Sequence, residues 1–266
     1  MNSDLLNRYF IKLSFDGTKF HGWQIQKNAN SVQSELNQAL EVLLRRPVET
    51  LGCGRTDTGV HAKTFFAHFD TEKINDPESL VHKLNAILPH EIAVESIFPV
   101  ASDHHARFSA TLRTYEYHII NKKDPFLIGK AWYNINIPEI NELNRFTDVL
   151  KEYNDFTSFS KSNTQTFTNN CNIIHASWTD QNNGHRIFTI KADRFLRNMV
   201  RAIVGTLIMS AEKNMTEDQF RKILESKNRS QAGVSVPAHG LFLTNVEYPF
   251  SLVQCQKKQL LEKHLI

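Results

Sequence analysis

Cysteine is scarce in this chain. Cys53, Cys171 and Cys255 are odd in number, far apart and without a C-x-x-C pair, a pattern that points away from a disulfide framework and a thiolate metal site. With 10 Gly and 8 Pro the sequence is neither collagen-like nor low-complexity, and 41% hydrophobic residues are too many for a disordered chain. No apolar run nears the roughly 18 residues that a membrane span needs. Residues 1–8 are polar with no hydrophobic stretch before a cleavage site, so a cytoplasmic protein without membrane contact is expected. Metal-binding patterns such as H-E-x-x-H are missing, and His104-His105 is the one close pair among 12 histidines, so no metal is expected.

What is present describes a globular protein. The 266 residues suffice for one large or two modest domains with a sizeable core. Thirty-one Lys and Arg stand against 28 Asp and Glu, a net charge of +3 that permits an anionic partner without establishing one.

Periodicity organises the chain. Tyr9, Ile11, Leu13 and Phe15 alternate as in a strand with one face buried, and Val32, Leu36, Ala39, Leu40, Leu43 and Leu44 recur at helical spacing behind a cap at Asn30 or Ser31. Ala62 to Asp70 alternates again, Asp76-Pro77 opens a second helix, and Ile92 to Val100 returns as a strand. The second half repeats the recipe. A strand is expected over Thr114 to Asn121, a helix over Ile140 to Tyr153, and a hairpin of Ile173–Thr179 with Arg186–Ala192 turning at Asn183-Gly184. A long helix is expected from Phe195 to about Ala211, another behind a Thr216/Gln219 capping box, a strand over Leu241 to Tyr248, and a helical tail from Gln254. The fold class is therefore α+β in two similar halves, each a mainly antiparallel sheet backed by helices. Domain boundaries are expected at 1–105 and 106–266.

The densest chemical constellation is Gly52-Cys53-Gly54-Arg55-Thr56-Asp57-Thr58-Gly59-Val60-His61-Ala62, in front of a strand. Its glycines allow close approach, while Arg55 and Asp57 set opposite charges two positions apart, as in an active-site loop or a tight turn held by an ion pair. It is not a dinucleotide fingerprint, because Asp57 occupies the third glycine's place, and the Gly-Lys-Ser/Thr of a phosphate loop is missing. Asp57-Thr58-Gly59 matches the aspartic-protease tripeptide, but that chemistry needs two carboxylates and the chain has one copy. Arg194, Arg197 and Arg201 fall three and four apart on the expected long helix, either a solvated stripe or a phosphate-facing one. Basic residues neighbour aromatics in Arg107-Phe108 and Arg113-Thr114-Tyr115-Glu116-Tyr117; Tyr115 and Tyr117 share a sheet face, where one or both pack.

Five segments in order carry a resemblance. Phe15-Asp16-Gly17-Thr18-Lys19-Phe20-His21-Gly22-Trp23-Gln24, the Gly54–Ala62 loop, Ala106-Arg107-Phe108-Ser109-Ala110, Met199-Val200-Arg201 with Gly205, and Pro237-Ala238-His239-Gly240-Leu241 together resemble the TruA family of tRNA pseudouridine synthases. Departures are modest: Thr58 follows the aspartate where the family commonly has Ala, and Cys53 precedes Gly54.

The resemblance implies an active-site cleft between the halves and isomerisation of uridine to pseudouridine at positions 38, 39 and 40 of the tRNA anticodon arm. It also implies a homodimer that needs no cofactor or metal. Asp57 matches the catalytic aspartate, whose roles as attacker of the sugar, attacker of the base or remover of a proton all stay open. Arg201 matches the basic partner that holds that carboxylate ionised, Tyr115 the tyrosine that stacks on the target uracil, Arg55 the grip on the flipped nucleotide and Leu241 the apolar residue beside the ring. Lys19, Arg107, Arg113, Arg194 and Arg197 are candidates for further RNA contacts. The rival reading is an RNA-binding module without catalysis.

Overall fold

Strand β1 (Asn7–Phe15) forms where the alternation predicts, and it pairs with a strand on either side. The computed structural model describes residues 6–160, 167–181, 183–250 and 252. Packing divides the chain into two units, Met1–Thr111 with Thr244–Ile266, and Leu112–Leu243. The architecture is α+β throughout.

In the first unit β1 is followed by α1 (Val32–Leu44), β2 (Leu51–Gly52), β3 (His61–Thr71), α2 (Pro77–Ile87) and β4 (Ile92–Val100). β1 runs antiparallel to both β3 and β4, with Ile11 opposite Ala67 and Ile97, and β2 adds to β3. Helix α1 opens on a capping box in which Ser31 and Ser34 satisfy each other's amides, and it stops where Arg45 turns left-handed at φ 55° ahead of Pro47. Asp76 accepts the Ser79 amide and Pro77 occupies the first turn of α2.

Alternation predicts one buried face for β1 and β3, yet Phe10, Phe66 and His68 on the other face are buried too. Their cover is distant in sequence: Tyr248 stands edge-on to Phe10 and Phe66 at 5.4 Å from each, and His105 stands edge-on to His68 at 4.4 Å.

His68 sits 3% exposed in β3, its Nδ1 accepting the Ala106 amide at 3.2 Å. Burial first, then the positive fields of His105 and Arg8, push its pKa down to about 4. An unfolded histidine titrates near 6.5, so between those values the unfolded chain takes a proton that the folded one refuses. Stability contributed by neutral His68 is thus complete above about pH 6.5 and lost as pH falls toward 4. His105 is lowered as well, again mainly by burial, and adds to the same slope. Urea unfolding between pH 7 and 4 is expected to show a falling midpoint, with a shallower fall in His68→Gln; equal slopes would refute the assignment.

The second unit holds β5 (Leu112–Ile120), β6 (Trp132–Tyr133), α3 (Ile140–Arg145), α4 (Thr147–Leu150), β7 (Ile173–Asp180), β8 (His185–Ala192), α5 (Met199–Glu212) and α6 (Glu217–Glu225). β9 (Leu241–Glu247) then carries the chain back to the first unit. β8 is antiparallel to β5 and β7, which aligns Tyr117, Phe188 and Trp178 across the sheet, and β6 joins β5 in parallel. Asn183 and Gly184 both have positive φ, 53° and 76°, as the tight hairpin requires. The Thr216/Gln219 capping box of α6 is formed.

Two helices differ from expectation. Ile140–Tyr153 is broken into α3 and α4, because Thr147 turns its hydroxyl back to the Asn144 carbonyl at 2.8 Å and the Phe146 amide bonds the same group. The long helix begins at Met199 rather than Phe195, since Asn198 holds a left-handed φ of 67° and donates its side-chain amide to Ser235 Oγ at 2.6 Å. Cys53 and Cys171 are buried and form no disulfide among the described residues, and burial pushes Cys171 up to about 12, which keeps it protonated. Cys255 and the tail from Gln254 lie outside the described residues. No helix among the described residues is long and apolar enough to cross a membrane, and no group of three or more His, Cys, Asp or Glu among them is placed to hold a metal ion.

Candidate active site

The Gly54–Ala62 loop is built against the segment that follows β1. Trp23 donates its amide to Thr56 Oγ1 at 3.0 Å, Gly59 donates to the Phe20 carbonyl at 3.3 Å, and Val60 donates to the Asp57 carbonyl at 3.1 Å. At the far end of the loop His61, 1% exposed, meets the Gly17 amide with Nδ1 at 3.0 Å, and Asp16 Oδ1 lies 3.0 Å from the same nitrogen. At the near end Cys53 donates its amide to the Phe66 carbonyl at 2.7 Å. Asp57 therefore rides on a backbone held from both sides, and its side chain sits at a half-buried position.

Two glycines make this approach possible. A Cβ on Gly17 would lie 2.0 Å from the Val60 carbonyl oxygen, and one on Gly22, at φ 87°, would lie 2.2 Å from the Thr56 carbonyl oxygen. Gly54, by contrast, faces open space, with nothing within 4 Å of a Cβ there. Arg55 is exposed and makes no ion pair among the described residues, so the loop is not a turn held by an Arg55–Asp57 bridge. Lys19 is committed to Glu91 at 2.5 Å.

In the second unit the segment from Gly233 to Val236 lies along α5. A Cβ on Gly205 would stand 1.8 Å from the Val234 carbonyl oxygen, and Gly233 donates its amide to Thr206 Oγ1 at 2.9 Å. Arg201, half-buried on α5, donates Nε to the Val236 carbonyl at 2.7 Å while its own carbonyl accepts the Val236 amide at 3.2 Å. The Nε bond orients the guanidinium, and the backbone bond ties the two segments together.

Tyr117 is fully buried and donates its hydroxyl to the Pro237 carbonyl at 2.7 Å; burial pushes its pKa up despite the nearby Arg201 charge. Tyr115, on the same sheet face, is half-buried and meets Phe195 edge-on at 5.1 Å. His239 is held below its usual range, first by burial and also by Arg201, and Leu241 is 6% exposed.

The remaining basic candidates differ in setting. Arg113 donates to the Asp193 carbonyl at 2.9 Å, and Arg107 lies over the Phe108 ring at 5.5 Å from its centre, with that ring 76% exposed. Arg194 and Arg197 precede α5, so the three-arginine helical stripe does not exist; Arg201 alone stands on the helix, because Asn198 ends the possibility of regular turns before it. Sequence reading gave no role to Thr56 and His61, although both lie inside the loop that it singled out. Their signal is a hydroxyl beside Asp57 and an imidazole at the end of a glycine-rich segment, groups that anchor backbone amides as readily as they do chemistry.

A family model described as tRNA pseudouridine synthase matches residues 12–109 and 153–249, stretches that hold Asp57 in one and Arg201 and Leu241 in the other, with Tyr115 between them. The chain is 51% identical over 251 residues to tRNA pseudouridine synthase A of Parabacteroides distasonis, covering 93% of this chain and 98% of the relative. It is 47% identical to tRNA pseudouridine synthase A of Bacteroides thetaiotaomicron, with 96% and 95% covered, and 38% identical to that of Shewanella amazonensis, with 92% and 94% covered.

Proposed function

The chain belongs to the tRNA pseudouridine synthase family, and from that premise we propose that it isomerises uridine to pseudouridine in the anticodon arm of tRNA, at positions 38, 39 and 40, with Asp57 as the essential carboxylate. It is an isomerase: the N1–C1′ bond of the target breaks, the uracil turns, and a C5–C1′ bond forms as C5 loses its hydrogen and N1 gains one. What supports the reading most is the Gly54–Ala62 loop, a family-matched segment whose backbone is tied on both sides of Asp57.

Each group then has a task set by its chemistry. Asp57 supplies the carboxylate that acts on the sugar or the base. Tyr115 offers a half-buried ring on which the uracil stacks, Leu241 an apolar wall beside it, and Arg201 a cation fixed by Val236. Arg55, exposed and without an ion pair among the described residues, is the group for the flipped nucleotide's phosphate. Extraction of the base costs a few kcal/mol, offset by contacts along the RNA. Arg107, Arg113, Arg194, Arg197 and Lys19 remain candidates for these, and Lys19 must first leave Glu91. The reading extends to a cytoplasmic homodimer that uses no cofactor or metal, supported by the family resemblance.

The test is tritium release from tRNA transcripts labelled at uracil C5. Release is expected from transcripts carrying uridine at positions 38, 39 or 40 and not from transcripts with cytidine at all three. Release that ignores those positions would overturn the site assignment, and binding without any release would favour the RNA-binding module.

A further inference from the structure

Far from Asp57, the first unit carries a cleft of about 560 Å³ between the end of α1, the segment after β3 and the start of α2. Its walls carry the cations Arg45, Arg46, Lys73 and Lys83 against the anions Glu72 and Asp76. Both anions are engaged: Glu72 pairs with Arg46 at 2.6 Å, and Asp76 accepts the Ser79 amide at 3.1 Å. Arg45, Lys73 and Lys83 are exposed and make no ion pair among the described residues. Three like charges gathered around one open cleft repel each other, a cost that an anion entering the cleft removes.

Position tells what kind of anion fits. β3 begins at His61, directly after the Asp57 loop, and its 11 residues end at Thr71 in the cleft wall, a run of about 30 Å at about 3.3 Å per residue. Helix α1, about 18 Å long at about 1.5 Å per residue, leads the same way: Val32 and Gln33 donate to the Gly22 and Trp23 carbonyls beside the loop, and Leu43 and Leu44 line the cleft. A ligand touching both places must be an extended polyanion, and a substrate tRNA is one.

We infer that the Arg45/Lys73/Lys83 cleft is a docking site for the phosphodiester backbone of the tRNA body, outside the anticodon arm whose uridines react. The inference rests on the tRNA-modifying reading above and adds a second point of attachment to it. Phosphate contacts of this kind position an RNA without reading its sequence, and each contributes about 0.7–0.9 to the salt dependence of binding.

The experiment compares wild type with R45A/K73A/K83A on a full-length tRNA transcript and on the isolated anticodon stem-loop, between 50 and 300 mM KCl. For full-length tRNA the variant is expected to raise Kd about tenfold at moderate salt and to lower the salt slope by about two, with kcat and the thermal midpoint unchanged. On the stem-loop it is expected to match wild type. Equal Kd and slope for the two proteins on tRNA would overturn the inference, as would an equal loss on both RNAs, which marks diffuse attraction instead of a second site. Lys73→Glu with Lys83→Glu carries the same expectation and keeps Arg45, which holds the left-handed turn after α1. If wild type forms no pseudouridine on tRNA, the functional reading fails, and the binding comparison still decides the cleft.

Discussion

Asp57→Asn is expected to abolish tritium release from C5-labelled tRNA, by about a thousandfold or more, while RNA affinity stays within about twofold of wild type. Asparagine keeps the shape of the side chain and removes its charge and basicity. The loop has reasons to survive the change, because the bonds described around it run through the Thr56 hydroxyl, the Asp57 carbonyl and the Gly59 and Val60 amides. A deficit confined to turnover is what loss of a reacting carboxylate produces, whereas a collapsed loop would weaken binding and lower the melting point together. Release by Asp57→Asn within tenfold of wild type would remove the carboxylate from the chemistry and leave the family fold with another catalytic group.

Much of this protein is legible in the sequence where the cause is local. The Thr216/Gln219 capping box brackets residues three apart, Ser31 is one of the two adjacent candidates for the cap of α1, and Asn183-Gly184 carries its hairpin in two residues, so short stretches suffice to read them. The Asp57 loop is legible for the same reason: its glycines, charges and flanking strand are contiguous.

What escapes has a distant cause. Phe10 and Phe66 are covered by Tyr248, far away in the sequence, and nothing in the alternation of β1 announces that cover. The start of α5 depends on Asn198 reaching Ser235, so apolar periodicity alone extends the helix four residues too far and strings Arg194 and Arg197 onto it. Gly205 is a motif residue whose reason appears in the fold: the carbonyl of Val234 occupies the space of a side chain.

Gly22→Ala is expected to lower kcat about a hundredfold although residue 22 carries no functional group. Two costs meet at this position. The backbone is left-handed at φ 87°, which an L side chain adopts at roughly 1–2 kcal/mol. The new methyl would also stand 2.2 Å from the Thr56 carbonyl oxygen and 3.2 Å from the Asp57 carbonyl carbon, both backbone atoms that cannot rotate away. Relief requires the two segments to part by about an ångström, and a displacement of that size at a reacting group is worth about a hundredfold in rate. The hydrogen bond from Trp23 to Thr56 Oγ1 bridges the same segments, so their separation loosens it as well. Gly54→Ala is the control, because a methyl there enters open space and should leave the melting point unchanged. Turnover of Gly22→Ala within a few-fold of wild type, at saturating tRNA, would show that Asp57 is positioned by something other than the Gly22 approach.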